Sequence, residues 1–325
     1  MEKEEGHPRP DPLIIRDKAT MRRWSRSMRA QSKTISLVPT MGYLHQGHFS
    51  LITQAHTHSD LTVLSIYINP AQFAPSEDLS TYPSDFHADL DKLKKAFPRR
   101  GVDVVFYPYD LYDYGEGGRR RRRSSDCFNS GSGGNGVVSC VEDGKSGHET
   151  WVRVEGLERG LCGKSRPIFF RGVATVVVKL FNVVEPDVAV LGKKDYQQWR
   201  IICRMVRDLD FPVTVIASEI VRESDGLALS SRNVYLSPEE RKKALSISSS
   251  LSRAKLAAEN GQQSCRELKI SVVQSIIEAG GKVDYAEIVD QDTLEVVDVV
   301  DRSLVFCVAA WFGKVRLIDN MEIDV

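Results

Sequence analysis

Five short apolar runs recur through the first two-thirds of the chain: ISLVP (35–39), LTVLSIYI (61–68), VDVVFY (102–107), DVAVL (187–191) and VTVIA (213–217). Each is rich in Val and Ile and nearly continuous rather than alternating, the pattern of strands covered on both faces of a parallel sheet. Segments of helical period separate them. In DYQQWRIICRMVRDLD, Trp199, Ile202, Met205 and Leu209 recur at intervals of three and four and predict one buried stripe. GVATVVVKLFNVVEP has the valine content of a strand, but its length up to Pro186 is that of a buried helix. Strand–helix alternation over 35–217 predicts a doubly wound, Rossmann-like α/β domain occupying residues 1–218.

After Glu219 the order changes, and residues 219–325 read as a smaller α+β domain. Two helices are predicted first. One covers 238–259, with Ser237 as N-cap and Pro238 at the first position; the other covers 265–279 and is ended by Gly280-Gly281. Strand-like runs follow at 283–289, 294–300, 304–311 and 315–319. Between Asp113 and Thr150 the pattern dissolves into Gly/Ser-rich sequence carrying the arginine run Arg119–Arg123. That run has the composition of a localisation signal or phosphate-binding patch. Without an accompanying aromatic or apolar pattern, a flexible insertion with solvated charges is the better reading of 113–150.

Composition narrows the function. The 325 residues hold 44 Lys plus Arg against 44 Asp plus Glu, a formal charge of zero. That balance excludes the electrostatic footprint expected for nucleic acid or an anionic membrane. The acidic, polar start MEKEEGHPRPDP lacks the order of a signal peptide, and no apolar run reaches the ~20 residues of a spanning helix. Six scattered cysteines without a C-x-x-C pair point to reduced thiols and a cytoplasmic location. Cys127 and Cys140, with only His148 nearby, do not match a zinc-ligand pattern. A small-molecule enzyme fits these limits.

The candidate chemistry lies directly after the predicted strands. PTMGYLHQGHFSLI (39–52) places His45 and His48 in the first turn of a helix at the carboxyl end of the first run. Backbone N–H groups there are unpaired and the helix dipole favours an anion. Both imidazoles can donate to phosphate oxygens, Gly42 permits the turn, and Gly47 leaves room for a base or ribose. Two polar histidines on an amphipathic helix are the plain alternative, and the pair is too sparse for a metal site. LGKKDYQQ (191–198) opens another helix, with Lys194 for phosphate and Asp195 as N-cap and ribose acceptor. DGLALSSRN (225–233) supplies Ser230, Ser231 and Arg232 as donors, and NPAQF (69–73) offers Gln72 to orient a small hydroxy acid.

Together these motifs, with RPIFFRGVATVVVKLFNVVEPDVAVLGKKDYQQ and DGLALSSRNVYLSPEER, resemble the pantoate–β-alanine ligase (pantothenate synthetase) family of the H-x-G-H adenylyl-transferring superfamily. The resemblance covers the chain outside 1–11 and 113–150. It implies an H-x-G-H nucleotidyltransferase-type fold with a C-terminal lid, and ATP-dependent condensation of pantoate with β-alanine through a pantoyl adenylate. It implies ATP binding by Met41, Gly42, His45, Gly47, His48, Gly192, Lys193, Lys194, Asp195, Val221, Leu229, Ser230, Ser231 and Arg232. His48 would be a proton donor, and His45 and Lys194 would share the catalytic site. Pantoate falls to Gln72, Gln198 and Arg166, and incoming β-alanine to Gln72. Mg²⁺ would accompany ATP, with Asp89 a candidate for its hydration shell, and the chain would work as a homodimer. Two positions depart from the family pattern: Lys193 stands where many relatives have an acidic residue, and Phe169 where they often have histidine. Rival readings are another H-x-G-H nucleotidyltransferase, an aminoacyl-tRNA synthetase fragment, and an inactive nucleotide-fold binding module.

Overall fold

A computed structural model describes residues 11–75, 77–112 and 148–324. The Arg119–Arg123 run, Cys127, Cys140 and most of the segment read as an insertion lie outside them.

The described strands are β1 (Leu13–Ile15), β2 (Ile35–Thr40), β3 (Leu61–Ile66), β4 (Val104–Phe106), β5 (Val188–Gly192), β6 (Thr214–Ser218), β7 (Lys282–Asp290), β8 (Leu304–Phe312) and β9 (Val315–Ile323). The helices are α1 (Lys18–Ala30), α2 (Gln46–His58), α3 (Phe86–Ala96), α4 (Leu161–Ser165), α5 (Phe169–Val184), α6 (Tyr196–Asp208), α7 (Pro238–Glu259) and α8 (Cys265–Glu278). Six strands form a parallel sheet in the order β1-β4-β3-β2-β5-β6. Successive residues enter opposite cores. Leu37, Val63, Val104 and Ala189 pack with α5 and α6, whereas Val38, Leu64, Val105 and Val190 pack with α2 and α3. Both faces are therefore apolar, which is why these strands read as continuous runs.

The valine-rich segment before Pro186 is α5, as its length implies. Glu185 closes it in the left-handed region (φ 49°), and Pro186 cannot continue it. In α6 the stripe holds through Ile202 and Met205, but Leu209 lies past the helix end and is 51% exposed. β1 escaped the sequence reading: three residues at a sheet edge are too short to show a period.

The second part packs α7 and α8 on the antiparallel sheet β7-β8-β9 around Leu251, Val272, Ile288 and Phe306. α7 begins as expected, with Ser237 and Glu240 forming a reciprocal capping box and Pro238 at the first position. The strand expected over 294–300 is absent. That segment makes only isolated bridges, Val289–Val296 and Ser264–Val299, and Val296 and Val299 face solvent. Its valines carry strand propensity, but no neighbouring strand extends a ladder to them.

Candidate active site

The strand order reverses between β2 and β5, since the chain steps outward from β2 through β3 and β4 and from β5 through β6. β2 and β5 pair only at Ser36–Val188 and Leu37–Ala189. Their carboxyl ends continue unpaired with each other and border a crevice, the usual ligand position in an open parallel sheet. A cleft of about 1320 Å³ opens there. Single small-molecule sites commonly span ~300–1,000 Å³, so more than one substrate fits.

His45 is the N-cap of α2, and its Nδ1 accepts from the Gly47 N–H at 3.1 Å. His48 Nδ1 accepts from the His45 backbone N–H at 3.3 Å, completing a capping box of two imidazoles. A backbone N–H only donates, so each neutral ring carries its proton on Nε2. Burial, then the charges of Lys194 and Lys92, push His45 down to about 4. Burial, then His45, push His48 well below the usual imidazole range. Both shifts favour uncharged rings at neutral pH, each presenting an Nε2–H that can donate a hydrogen bond. Gly47 also has a local role: a Cβ there would lie 2.9 Å from the His45 ring.

Two expected residues support this loop from outside the cleft. Gly42 turns the chain at φ 86°. Asp89 is 1% exposed and accepts from the Tyr43 and Leu44 N–H groups at 2.7 Å each. Its carboxylate anchors the histidine loop.

Gln72 sits in a short 3₁₀ turn after β3 (Pro70–Gln72), with its Nε2 3.3 Å from Met41 Sδ. Gln198 lines the same cleft. Its neighbour Gln197 is buried and spends its amide on Cys162 N and the Leu157 and Gly160 carbonyls. Arg166 donates through Nε and Nη2 to Glu77 at 2.5 and 2.9 Å. Its guanidinium lies 3.8 Å from the Phe169 ring centre, so the phenylalanine serves as a platform.

Of the residues expected to bind the nucleotide, Met41, Gly47, Gly192, Lys194, Asp195, Val221, Leu229, Ser230, Ser231 and Arg232 all line the cleft. The Leu229 N–H donates to the Val221 carbonyl at 3.0 Å and brackets the two positions together. Lys193 is the exception. Its ammonium pairs with Glu219 and Glu322 at 2.7 Å each, ties the end of β5 to β9, and turns from the cleft. Asp195 occupies the N-cap position of α6 but caps no backbone N–H; its carboxylate lies 4.0 Å from Lys194. Arg232 donates through Nε and Nη2 to Asp78 at 2.9 Å each. Each arginine thus has one edge held by a carboxylate, leaving the Nη1 end for an anion.

Sequence reading missed Asn69, Glu77, Asp78 and Tyr82, which also line the cleft. Asn69 was within reach, three residues before Gln72 at the same strand end. Glu77 and Asp78 carry no local signal, because their partners are 89 and 154 residues away.

With this geometry in place, the comparisons are specific. Residues 13–322 match the family described as Pantoate-beta-alanine ligase. A pantoate–β-alanine ligase of Lotus japonicus is 65% identical, over 96% of this chain and 99% of that protein. A pantothenate synthetase of Thermotoga neapolitana is 44% identical, over 94% and 98%. The crystal structure of pantothenate synthetase from Thermus thermophilus superposes with a TM-score of 0.78 at 37% identity, covering 96% of this chain and all of that one. A Francisella tularensis pantoate-beta-alanine ligase, complexed with beta-gamma ATP and beta-alanine, gives a TM-score of 0.70 at 29% identity over 95% and 97%. Sequence and fold are thus shared along nearly the full length, and the chain belongs to the pantoate–β-alanine ligase family of enzymes.

Proposed function

We propose that the chain condenses pantoate with β-alanine in two steps through a pantoyl adenylate. Pantoate's carboxylate oxygen bonds to the α-phosphorus of ATP, and the bond to the pyrophosphate oxygen breaks in line. The free β-alanine amine then bonds to the acyl carbon, the acyl–phosphate oxygen bond breaks, AMP leaves with the electron pair, and the nitrogen gives up one proton to water. No protein nucleophile is needed; the residues position the reactants and stabilise developing charge.

The observation that carries this reading is that one cleft gathers two donor sets. His45, His48, Lys194, Ser230, Ser231 and Arg232 suit phosphates, and Gln72, Gln198 and Arg166, with Gln72 against Met41, suit a hydroxy acid. Two neutral Nε2–H donors suit the α-phosphate because they stabilise added charge without binding the pyrophosphate as fixed cations. Arg166 and the two amides suit a hydroxy acid. Gln72 is the group that β-alanine would then meet.

The donor set bears on Mg²⁺. Among the described residues no three metal-ligating side chains cluster, and both Asp89 oxygens are engaged by backbone N–H groups. The described residues therefore build no cage of their own. We assign Mg²⁺ to the phosphates of ATP and water, with no described residue as direct ligand.

Further parts of the proposal are a domain boundary at 218/219, where β6 ends, a homodimer, and a cytoplasmic location. Family resemblance supports the dimer, and the free thiols Cys162, Cys203, Cys265 and Cys307 support a reducing compartment. No helix among the described residues is long and apolar enough to cross a membrane.

The adenylate is tested by isotope exchange. Pantoate alone should support exchange of labelled pyrophosphate into ATP, with β-alanine omitted. Exchange that strictly requires β-alanine would refute the adenylate and favour a concerted reaction.

A further inference from the structure

Tyr112 lies outside every motif of the candidate site, yet it is 3% exposed and its hydroxyl is 3.0 Å from Asn69 Oδ1. The Asn69 amide is oriented by two groups that can play one part each. The Ala71 backbone N–H donates to Oδ1 at 3.3 Å, and the Gly172 carbonyl accepts from Nδ2 at 3.1 Å. Oδ1 only accepts, so the Tyr112 hydroxyl donates to it. Nδ2 also donates to Gln72 Oε1 at 3.0 Å. The Gln72 amide is thereby set with its carbonyl inward and its NH₂ beside Met41 Sδ. The Tyr112 ring is itself held, with the Lys179 ammonium 4.8 Å from its centre and the His148 ring packed edge-to-face at 4.9 Å between centres.

We propose that Tyr112 is a positioning residue of the acid site: through Asn69 it fixes Gln72 as a hydrogen-bond donor toward the substrate. The inference rests on the reading of Gln72 as an acid-binding amide. Its chemistry is selective. A donor amide meets carboxylate or hydroxyl oxygens, whereas a turned amide would set its carbonyl oxygen against them. Tyr112 touches no substrate; it removes the second orientation.

The test is a double-mutant cycle on the full chain. Tyr112→Phe removes only the hydroxyl and should raise the KM for pantoate about five- to tenfold, the range for one buried hydrogen bond, with kcat and the KM for ATP within about twofold. In a Gln72→Ala background the same substitution should change the pantoate KM by less than about twofold, because the amide it orients is gone. An equal effect in both backgrounds, or parallel losses for ATP and pantoate with a lowered Tm, would overturn the positioning role and leave Tyr112 merely structural. No effect of Tyr112→Phe, with Gln72→Ala still raising the pantoate KM, would also overturn it. An unchanged pantoate KM in Gln72→Ala itself would instead remove the acid-site reading, and this inference with it.

Discussion

Gly172 gives the sharpest mechanical test of the acid site. It lies in the first turns of α5 where that helix meets the 3₁₀ turn bearing Gln72, and its carbonyl accepts from Asn69. A Cβ there would lie 2.2 Å from the Ala71 carbonyl oxygen, 2.4 Å from its carbon and 2.6 Å from the Gln72 nitrogen. Ordinary contact needs about 3.5 Å, so Gly172→Ala must part the helix and the turn by about 1.3 Å. All three neighbours are backbone, and no side-chain rotation relieves the clash. Overpacking of this kind costs about 1–3 kcal/mol. The same shift moves Gln72, and a misplacement near 1 Å can cost about 100-fold in rate. Two assays separate these effects. Thermal melts should show a fall of several degrees, about 2–4 °C per kcal/mol for a large domain. Pantoate-dependent pyrophosphate exchange should fall far more than that loss of folded protein explains, while ATP affinity is nearly kept. Wild-type exchange and an unchanged Tm would refute the close approach of α5 to this turn. Equal weakening of ATP and pantoate would refute the claim that the damage is local to Gln72.

What the sequence made legible follows from how far each signal reaches. β2 to β6 were readable because each residue's polarity reports its own surroundings, and both sheet faces are apolar. His45, Lys194 and Gln72 were placed correctly relative to the strands, since the carboxyl end of a parallel strand is a position that a sequence can mark. The failures share a physical cause. Lys193 and Lys194 are adjacent and chemically alike, yet Glu219 and Glu322 capture one ammonium while the other faces the cleft. Nothing within ten residues of Lys193 distinguishes them. Gln197 and Gln198 both border the cleft, but Cys162 N and two carbonyls on a distant loop occupy the Gln197 amide. The run 294–300 failed as a strand because propensity is local and pairing is not. Contacts between remote segments choose which of several suitable side chains reaches the site, and each was available to the sequence only as a composition.

Asp78→Asn tests whether Asp78 positions Arg232 or competes with phosphate for it. A charge-assisted pair contributes about 1.5–3 kcal/mol, so loss of positioning should raise the KM for ATP about tenfold with the pantoate KM kept; a lowered ATP KM would mean competition. The last expectation concerns pH. His45 titrates near 4 when folded, against an ordinary value of 6.5, so below pH 6.5 the unfolded chain takes up the proton first. The sign follows from linkage: this contribution is absent above 6.5, grows as a loss of stability while pH falls, and levels off below about 4. At pH 5 it amounts to about 2 kcal/mol, with His48 adding in the same direction. His45→Asn is the control, because asparagine keeps an N-cap acceptor without a titrating ring. Urea midpoints at pH 7.5 and 5.0 should converge in that variant relative to the unsubstituted chain. An identical pH slope in both would show that the His45 imidazole is not held neutral by burial, and the case for two neutral donors at the α-phosphate would fall with it.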